Sequence, residues 1–332
     1  MKPLFRYSIA GLLLGSLCLL GVEMFARQRL GLGAPPLYVA DLFTEYRLKP
    51  DQHLKRFGDR IEVNAYSMRS SPFDLKRLPG TRRVLVFGDS VVWGGAILDQ
   101  SLIATEVLKR SLLMAQHSPS IIEVGNVAAP SWGPGNWLGW AKRFGFMQAT
   151  DIVLVISSHD AFDNPGAMPF MGDANHPLRP PSGAIAEAIQ RYMLPRLQAW
   201  LSPILPPASL AETSTQPTSS ADSRVVRGLS DLRYFLHLAK ASGARVSVVQ
   251  FADRQEAASG NLQPGNGWIH QLLQQQAIPA IQAGPMFRSC GPINRLYSDG
   301  IHPYTPAGQA CLAQAIARAL DSRAKAAVSV AP

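Results

Sequence analysis

A serine, a histidine and an aspartate, held far apart in the chain, are the residues whose types can do chemistry together. Ser90 stands in "RRVLVFGDSVVWGGA", where a run of β-branched and apolar residues stops at Gly88-Asp89-Ser90. Asp299 and His302 stand in "YSDGIHPYTPAGQACLAQAIARAL", a loop bounded by Gly and Pro just before a helical pattern. A serine hydroxyl is a poor nucleophile at neutral pH. A neutral histidine has to take its proton, and a carboxylate orients that histidine and stabilises its charged form. The chain order Ser, Asp, His supplies all three groups. Taken singly, each piece has a plainer reading: Asp89 or Ser90 as a helix cap, and Asp-x-x-His as surface decoration.

The elements that would position these residues are legible in the hydrophobic rhythm. Short apolar runs recur at 83–87, 121–124, 152–156, 246–251 and 278–282. Between them lie helical patterns: 102–115, with Ile103, Val107, Leu108 and Leu112 on one face, then 137–147, then 225–241 ending at Ser242-Gly243. Strands alternating with helices imply a mostly parallel sheet covered on both faces. In such a sheet ligands bind beyond the carboxyl ends of the strands, where the first strand-to-helix turn presents its backbone N–H groups. Ser90 falls in that turn. Gly88 permits a tight exit from the strand, and the helix dipole favours a developing negative charge there.

Two regions break the alternation. Residues 56–71, with Gly58-Asp59, read as a hairpin or short edge strand ahead of the main domain. Between the third and fourth strands stand roughly sixty extra residues: a Pro- and Gly-rich stretch at 165–181, an amphipathic helical pattern at 184–201 disturbed by Pro195, and a linker-like tract at 206–223. The helical pattern carries Ile185, Ile189, Met193, Leu197 and Trp200 at helical spacing. That stripe suits ordinary packing, a lid or a membrane-surface contact.

The 332 residues are 47% hydrophobic and 17% charged, enough to bury a full core. Lys and Arg number 32 against 23 acids, a formal charge of +9, which suits anionic surfaces or substrates. The basic residues are scattered, with no zinc-finger spacing or RNA-binding aromatic motif, so no nucleic-acid partner is expected. At the amino terminus Lys2 and Arg6 precede an apolar run from 7 to 22. At about 1.5 Å per residue that run falls short of a hydrocarbon core of roughly 30 Å, but Met24 to Ala26 extend it if Glu23 lies near the interface. No small-x-small cleavage site follows cleanly, and Leu17 before Cys18 does not suit a lipoprotein site. We read the segment as an uncleaved signal anchor in the inner membrane, single-pass, with the remaining chain facing the periplasm; secretion after cleavage is the alternative.

With these residues in view, the chain resembles the SGNH, or GDSL, hydrolase superfamily across about 82–320, most strongly at "VFGDS" and "SDGIHPYTPAG". The resemblance implies a three-layer α/β/α sandwich with a flavodoxin-like, mostly parallel, five-stranded sheet. It implies Ser90 as nucleophile, His302 as general base and acid, and Asp299 as its orienting partner. The family's second block places a glycine whose N–H helps to bind the oxyanion; in "GNVAAPSWGPGNW" that position holds Ser131, with Gly133 two residues later. The third block normally reads Gly-x-Asn-Asp, but "ISSHDAFDN" puts His159 at the Asn position and Asp160 after it, with Asn164 further along. The oxyanion hole implied by resemblance is therefore the Ser90 and Ser131 N–H groups and the His159 side chain. The expected organisation is a membrane segment at 1–29, an extension with short β elements at 30–80, a hydrolase-like domain at 81–322 with an insertion at 165–224, and a tail at 323–332.

Further residues invite a role. Trp93, Trp132 and Trp137 fall near the first and second block loops, where an aromatic face can stack on a sugar ring or simply pack. His53, His117, His176, His237 and His270 share no metal-ligand spacing and read as surface or capping residues; Asp160 and Asp163 beside His159 read as loop buttresses. No metal and no cofactor is expected. Cys18 lies in the anchor. Cys290 and Cys311 are placed to pair across the segment holding Asp299 and His302 in an oxidising compartment, with two separate buried thiols as the alternative. The expected function is a serine esterase removing O-acyl groups, acetyl first, from an exported or cell-surface polysaccharide. An O-acyltransferase with the same triad and a non-catalytic polysaccharide-binding protein are the alternatives.

Overall fold

The structure is a computed structural model that describes residues 3–115, 121–166, 172, 175–201 and 219–328. Its centre is a parallel sheet of five strands, β5 (Arg82–Gly88), β6 (Ile122–Ala128), β7 (Asp151–Ile156), β8 (Arg245–Gln250) and β9 (Ala280–Gln282), in spatial order β6-β5-β7-β8-β9. Counted from β5 as the first strand the order is 2-1-3-4-5, the flavodoxin-like arrangement, with its switch point between β5 and β7. Val84, Leu85, Val86 and Phe87 are all fully buried, as a strand covered on both faces requires.

The chain moves one way from β5 to β6 and reverses from β6 to β7, so right-handed crossovers put the intervening helices on opposite faces. The helix at Ala104–Met114 packs with the last helix, Pro306–Val328, on one side. On the other, Pro134–Phe144 packs with Ser223–Ala241. The pattern expected at 137–147 begins earlier because Pro134 takes the first helical turn, where its missing N–H costs nothing.

The residues before β5 form two antiparallel hairpins, β1 (Tyr38–Asp41) with β2 (Glu45–Leu48) and β3 (Gln52–Arg56) with β4 (Asp59–Val63). Phe57 and Gly58 turn the second with φ of 50° and 96°, which sets the hairpin a few residues ahead of the stretch expected to form it. Tyr38, Tyr46, Leu48, Ile61, Val63 and Met68 join the same hydrophobic cluster as the sheet, so this extension shares the core.

Within the insertion, residues 184–201 form one continuous helical segment: Ala184–Glu187 and Leu194–Leu201 are α-helical and Ala188–Met193 between them is a π-helical turn. Pro195 has no N–H to donate and its ring crowds the preceding turn, and the Leu194 N–H bonds five residues back to the Ile189 carbonyl. The linker-like residues 206–218 and His117 lie outside the described residues. The amino-terminal helix, Pro3–Leu30, contains a stretch at Gly11–Leu30 of mean hydropathy 1.2, long and apolar enough to cross a membrane.

Candidate active site

Ser90 opens a one-turn helix, Ser90–Trp93, directly after β5. Asp89 caps it by accepting from the Val91 N–H at 2.8 Å, so the capping role falls to the aspartate and leaves the serine hydroxyl to project. From the other end of the chain His302 Nε2 reaches Ser90 Oγ at 2.9 Å, and His302 Nδ1 reaches Asp299 Oδ2 at 2.8 Å. The other carboxylate oxygen of Asp299 accepts from the N–H of Ile301 at 2.8 Å and of His302 at 2.7 Å. Burial works against the charge on Asp299, but these two backbone donors and the imidazole outweigh it and hold its pKa below the usual carboxylate value. An ionised Asp299 fixes the proton on Nδ1 and leaves the Nε2 lone pair facing the serine hydroxyl.

Ser90 lies in a cavity of about 300 Å³ that is also lined by Trp93, Ser131, His302, Tyr304 and Arg191. Ser131 has φ of 58°, a left-handed conformation that glycine adopts freely and that costs a residue with a side chain about 1–2 kcal/mol. This is the backbone shape that a glycine in the family's second block would supply. The turn is held by β2: the Tyr46 hydroxyl donates to the Pro130 carbonyl at 2.5 Å. The Ser90 N–H, at the first position of its helix, and the Ser131 N–H make no intramolecular hydrogen bond among the described residues.

His159 is placed differently from the expectation. Its Nε2 lies 3.1 Å from Asp89 Oδ2 and its Nδ1 3.1 Å from Ser157 Oγ, whose own proton goes to Asp160 Oδ2 at 2.9 Å. With the Ser157 proton on Asp160 the serine oxygen is left to accept, an arrangement that suits a protonated imidazole paired with Asp89. His159 is not among the residues that line the Ser90 cavity. Burial opposes the charge, but Asp160 and the Asp89 carboxylate overcome it and push the pKa up to about 10. The side chain keeps 31% of its exposure, so solvent screens part of this attraction. Burial also raises Asp160, to about 8, and Asp163, to about 6. Asp89, His159 and Asp160 present ligand-type atoms within 4.8 Å of one another, yet a metal there would require His159 to surrender a proton it uses in a hydrogen bond.

The tryptophans part company. Trp93 edges the cavity, under the guanidinium of Arg69 at 4.8 Å. Trp132 and Trp137 are fully buried; their indole N–H groups donate to the carbonyls of Tyr46 at 3.0 Å and Gly88 at 2.8 Å. Neither offers a face to a sugar. Trp137 instead ties the helix Pro134–Phe144 to the end of β5, next to the turn that carries Ser90.

Several contributors carry no motif. Arg69, fully buried, donates to the carbonyls of Trp93, Gly95 and Leu98 and so shapes the rim after the Ser90 helix; burial lowers its pKa to about 10. Tyr304 stacks on His302 with ring centroids 4.6 Å apart and donates to the Ser90 carbonyl at 2.9 Å. A Cβ at Gly95 would lie 2.8 Å from the Tyr304 ring, so that ring needs a glycine beneath it. His176 is not the surface residue expected: it is 7% exposed, packs against Tyr38 and Tyr46, and lines the cavity. The residues Cys290 and Cys311 form a disulfide with Cα atoms 6.1 Å apart.

No protein-family model and no curated protein matches the sequence. Among solved structures the chain is similar to a lipase/acylhydrolase from Enterococcus faecalis, at 13% identity and a TM-score of 0.42 over 73% of this chain and 96% of that one. It is similar also to the psychrotrophic esterase EstA from Pseudoalteromonas sp., at 11% identity and 0.42 over 74% and 99% of the two chains. A third is an acetylxylan esterase from Geobacillus stearothermophilus, seen as a catalytic mutant, at 14% identity and 0.43 over 72% and 93%.

Proposed function

We propose that the chain is a serine carboxylic ester hydrolase of the SGNH type, removing O-acyl groups, acetyl first, from an exported or cell-surface polysaccharide. The observation that carries this reading is the relay from Asp299 through His302 to Ser90, two hydrogen bonds of 2.8 and 2.9 Å that end in a cavity lined by Ser90 and Ser131, whose backbone N–H groups have no intramolecular partner among the described residues.

His302 Nε2 takes the hydroxyl proton as Ser90 Oγ attacks the acyl carbonyl, and Asp299 stabilises the imidazolium. The N–H groups of Ser90 and Ser131 meet the oxyanion, each donor being worth roughly 3 kcal/mol of barrier. His302 then returns the proton to the departing sugar oxygen. Water, deprotonated by the same nitrogen, cleaves the acyl-enzyme and regenerates Ser90. Export is supported by the apolar amino-terminal helix, which we read as a single-pass anchor in the inner membrane with the hydrolase on the periplasmic side, and by a disulfide of the kind that persists in an oxidising compartment.

A fluorophosphonate probe tests the reading. It should label the detergent-solubilised full chain, and labelling should vanish in Ser90→Ala; folded wild-type protein that stays unlabelled would sink it.

A further inference from the structure

We propose that the helical segment 184–201 lies on the bilayer surface beside the amino-terminal helix, apolar stripe against the lipid, and thereby holds the Ser90 cavity at the membrane. This rests on the reading of the amino-terminal helix as a membrane span.

Four observations meet in it. The first is a joint. Glu23, one residue past the apolar run 7–22, accepts from the N–H groups of Ala184 and Ile185 at 2.8 and 2.9 Å, and Ala26 and Leu32 pack on Ala184. The insertion helix therefore starts at the height where the apolar run ends, which is the interface if that run is in lipid. The second is a stripe: Ile189, Met193, Leu194, Leu197 and Trp200 are 41, 61, 42, 49 and 71% exposed. This much apolar surface on one short helix, closing on a tryptophan, suits a helix lying in the headgroup region.

The third observation is charge. Arg196 stands on the same segment, and Arg29 stands on the last turn of the amino-terminal helix, so basic groups are at hand where anionic headgroups would be. The fourth is rigidity. Glu187 pairs with Arg56 at 2.5 Å, both buried, and accepts from the Gly33 N–H at 2.6 Å, so the helix cannot swing freely from the domain. Arg191, on the same segment, lines the cavity that holds Ser90. A helix fixed to the lipid by one face thus presents the catalytic cavity with the other.

The test places an environment-sensitive fluorophore on Leu197→Cys in a full-length Cys18→Ser background, reconstituted into vesicles of phosphatidylethanolamine and phosphatidylglycerol. A second label on Gln275→Cys, exposed at the end of the sheet opposite the site, is the aqueous reference. Flotation with the vesicles first reports whether the chain is membrane-bound. The expected result is a blue-shifted 197 label, quenched several-fold more by doxyl lipids than by aqueous iodide, with the 275 label showing the reverse. A floating chain whose 197 label stays as aqueous as the 275 label overturns the proposal and leaves the anchor standing. A chain that does not float overturns both. A blue shift that grows with protein concentration, without doxyl quenching, would show a second copy on the stripe and also overturn it.

Discussion

The Nε2 of His159 lies 3.1 Å from the carboxylate of Asp89, the residue that caps the helix Ser90–Trp93. His159 thus acts on the turn that carries Ser90, and in the proposed mechanism the oxyanion is met by backbone donors. With its pKa pushed up to about 10, above the ordinary value near 6.5, the folded chain keeps a proton that the unfolded chain releases. The stabilisation is complete below about pH 6.5 and is lost as pH rises through about 10. Asp163 at about 6 and Asp160 at about 8 are also raised, so they act in the same direction. Titration of the histidine side chains by NMR should show the His159 ring charged well above neutrality, and unfolding by urea should become easier as pH rises. A ring that titrates near neutral pH would refute this picture. On the same geometry His159→Asn should hold kcat/KM within about tenfold of wild type, since no donor to the oxyanion is removed.

Ser131 gives a sharper test of the oxyanion hole. Its φ of 58° is free for glycine and costly for a β-branched residue. Ser131→Gly should therefore keep the activity and raise stability by about 1 kcal/mol. Ser131→Val should force the turn open, displace its N–H and lower kcat by about 100-fold, the size of effect expected from one lost donor. Equal kcat values for the two variants would show that this N–H does not meet the oxyanion.

Much of this architecture is readable from residue pattern because parallel strands covered on both faces must be continuously apolar, as Val84 to Phe87 are. The Ser90 and His302 segments are readable for a related reason: a strand stopping at Gly-Asp-Ser and a loop of Asp-x-x-His are local arrangements. The remaining parts depend on distant contacts. Nothing in the type of Trp132 or Trp137 says whether an indole faces solvent or core. Arg69 and Tyr46 support the rim and the Ser131 turn through backbone carbonyls, which any sequence presents. Tyr304, two residues past His302 and next to a proline-bounded turn, is the one supporting residue whose position hinted at its role.

The ion pair between Arg56 and Glu187 joins the second hairpin to the insertion helix with side chains only 2 and 5% exposed. Removing one partner strands the other charge away from water. Arg56→Ala should cost about 3–5 kcal/mol, more than the median surface pair by far. Because Glu187 would also lose its reason to stay folded against Gly33, proteolysis within the insertion should accelerate. A stability change under about 1 kcal/mol would mean that water reaches the pair and solvates it.

The disulfide between Cys290 and Cys311 closes a loop with a sequence separation of 21, and Asp299 and His302 both lie inside that loop. A covalent closure of this length restricts the unfolded chain and stabilises the folded one by about 3 kcal/mol. It also limits how far the Asp299–His302 turn can drift from Ser90, which comes from the opposite end of the domain. The paired substitution Cys290→Ser with Cys311→Ser should therefore lower the unfolding free energy by about 3 kcal/mol. It should lower kcat more than it raises KM, because the relay geometry is disturbed while the cavity walls built by Tyr38, Trp93 and Ser131 stay in place. Thiol reductant should reproduce both effects in the wild type and neither in the variant; a variant with unchanged stability and kcat would show that the loop from Ser298 to Thr305 holds the histidine without help from the cross-link.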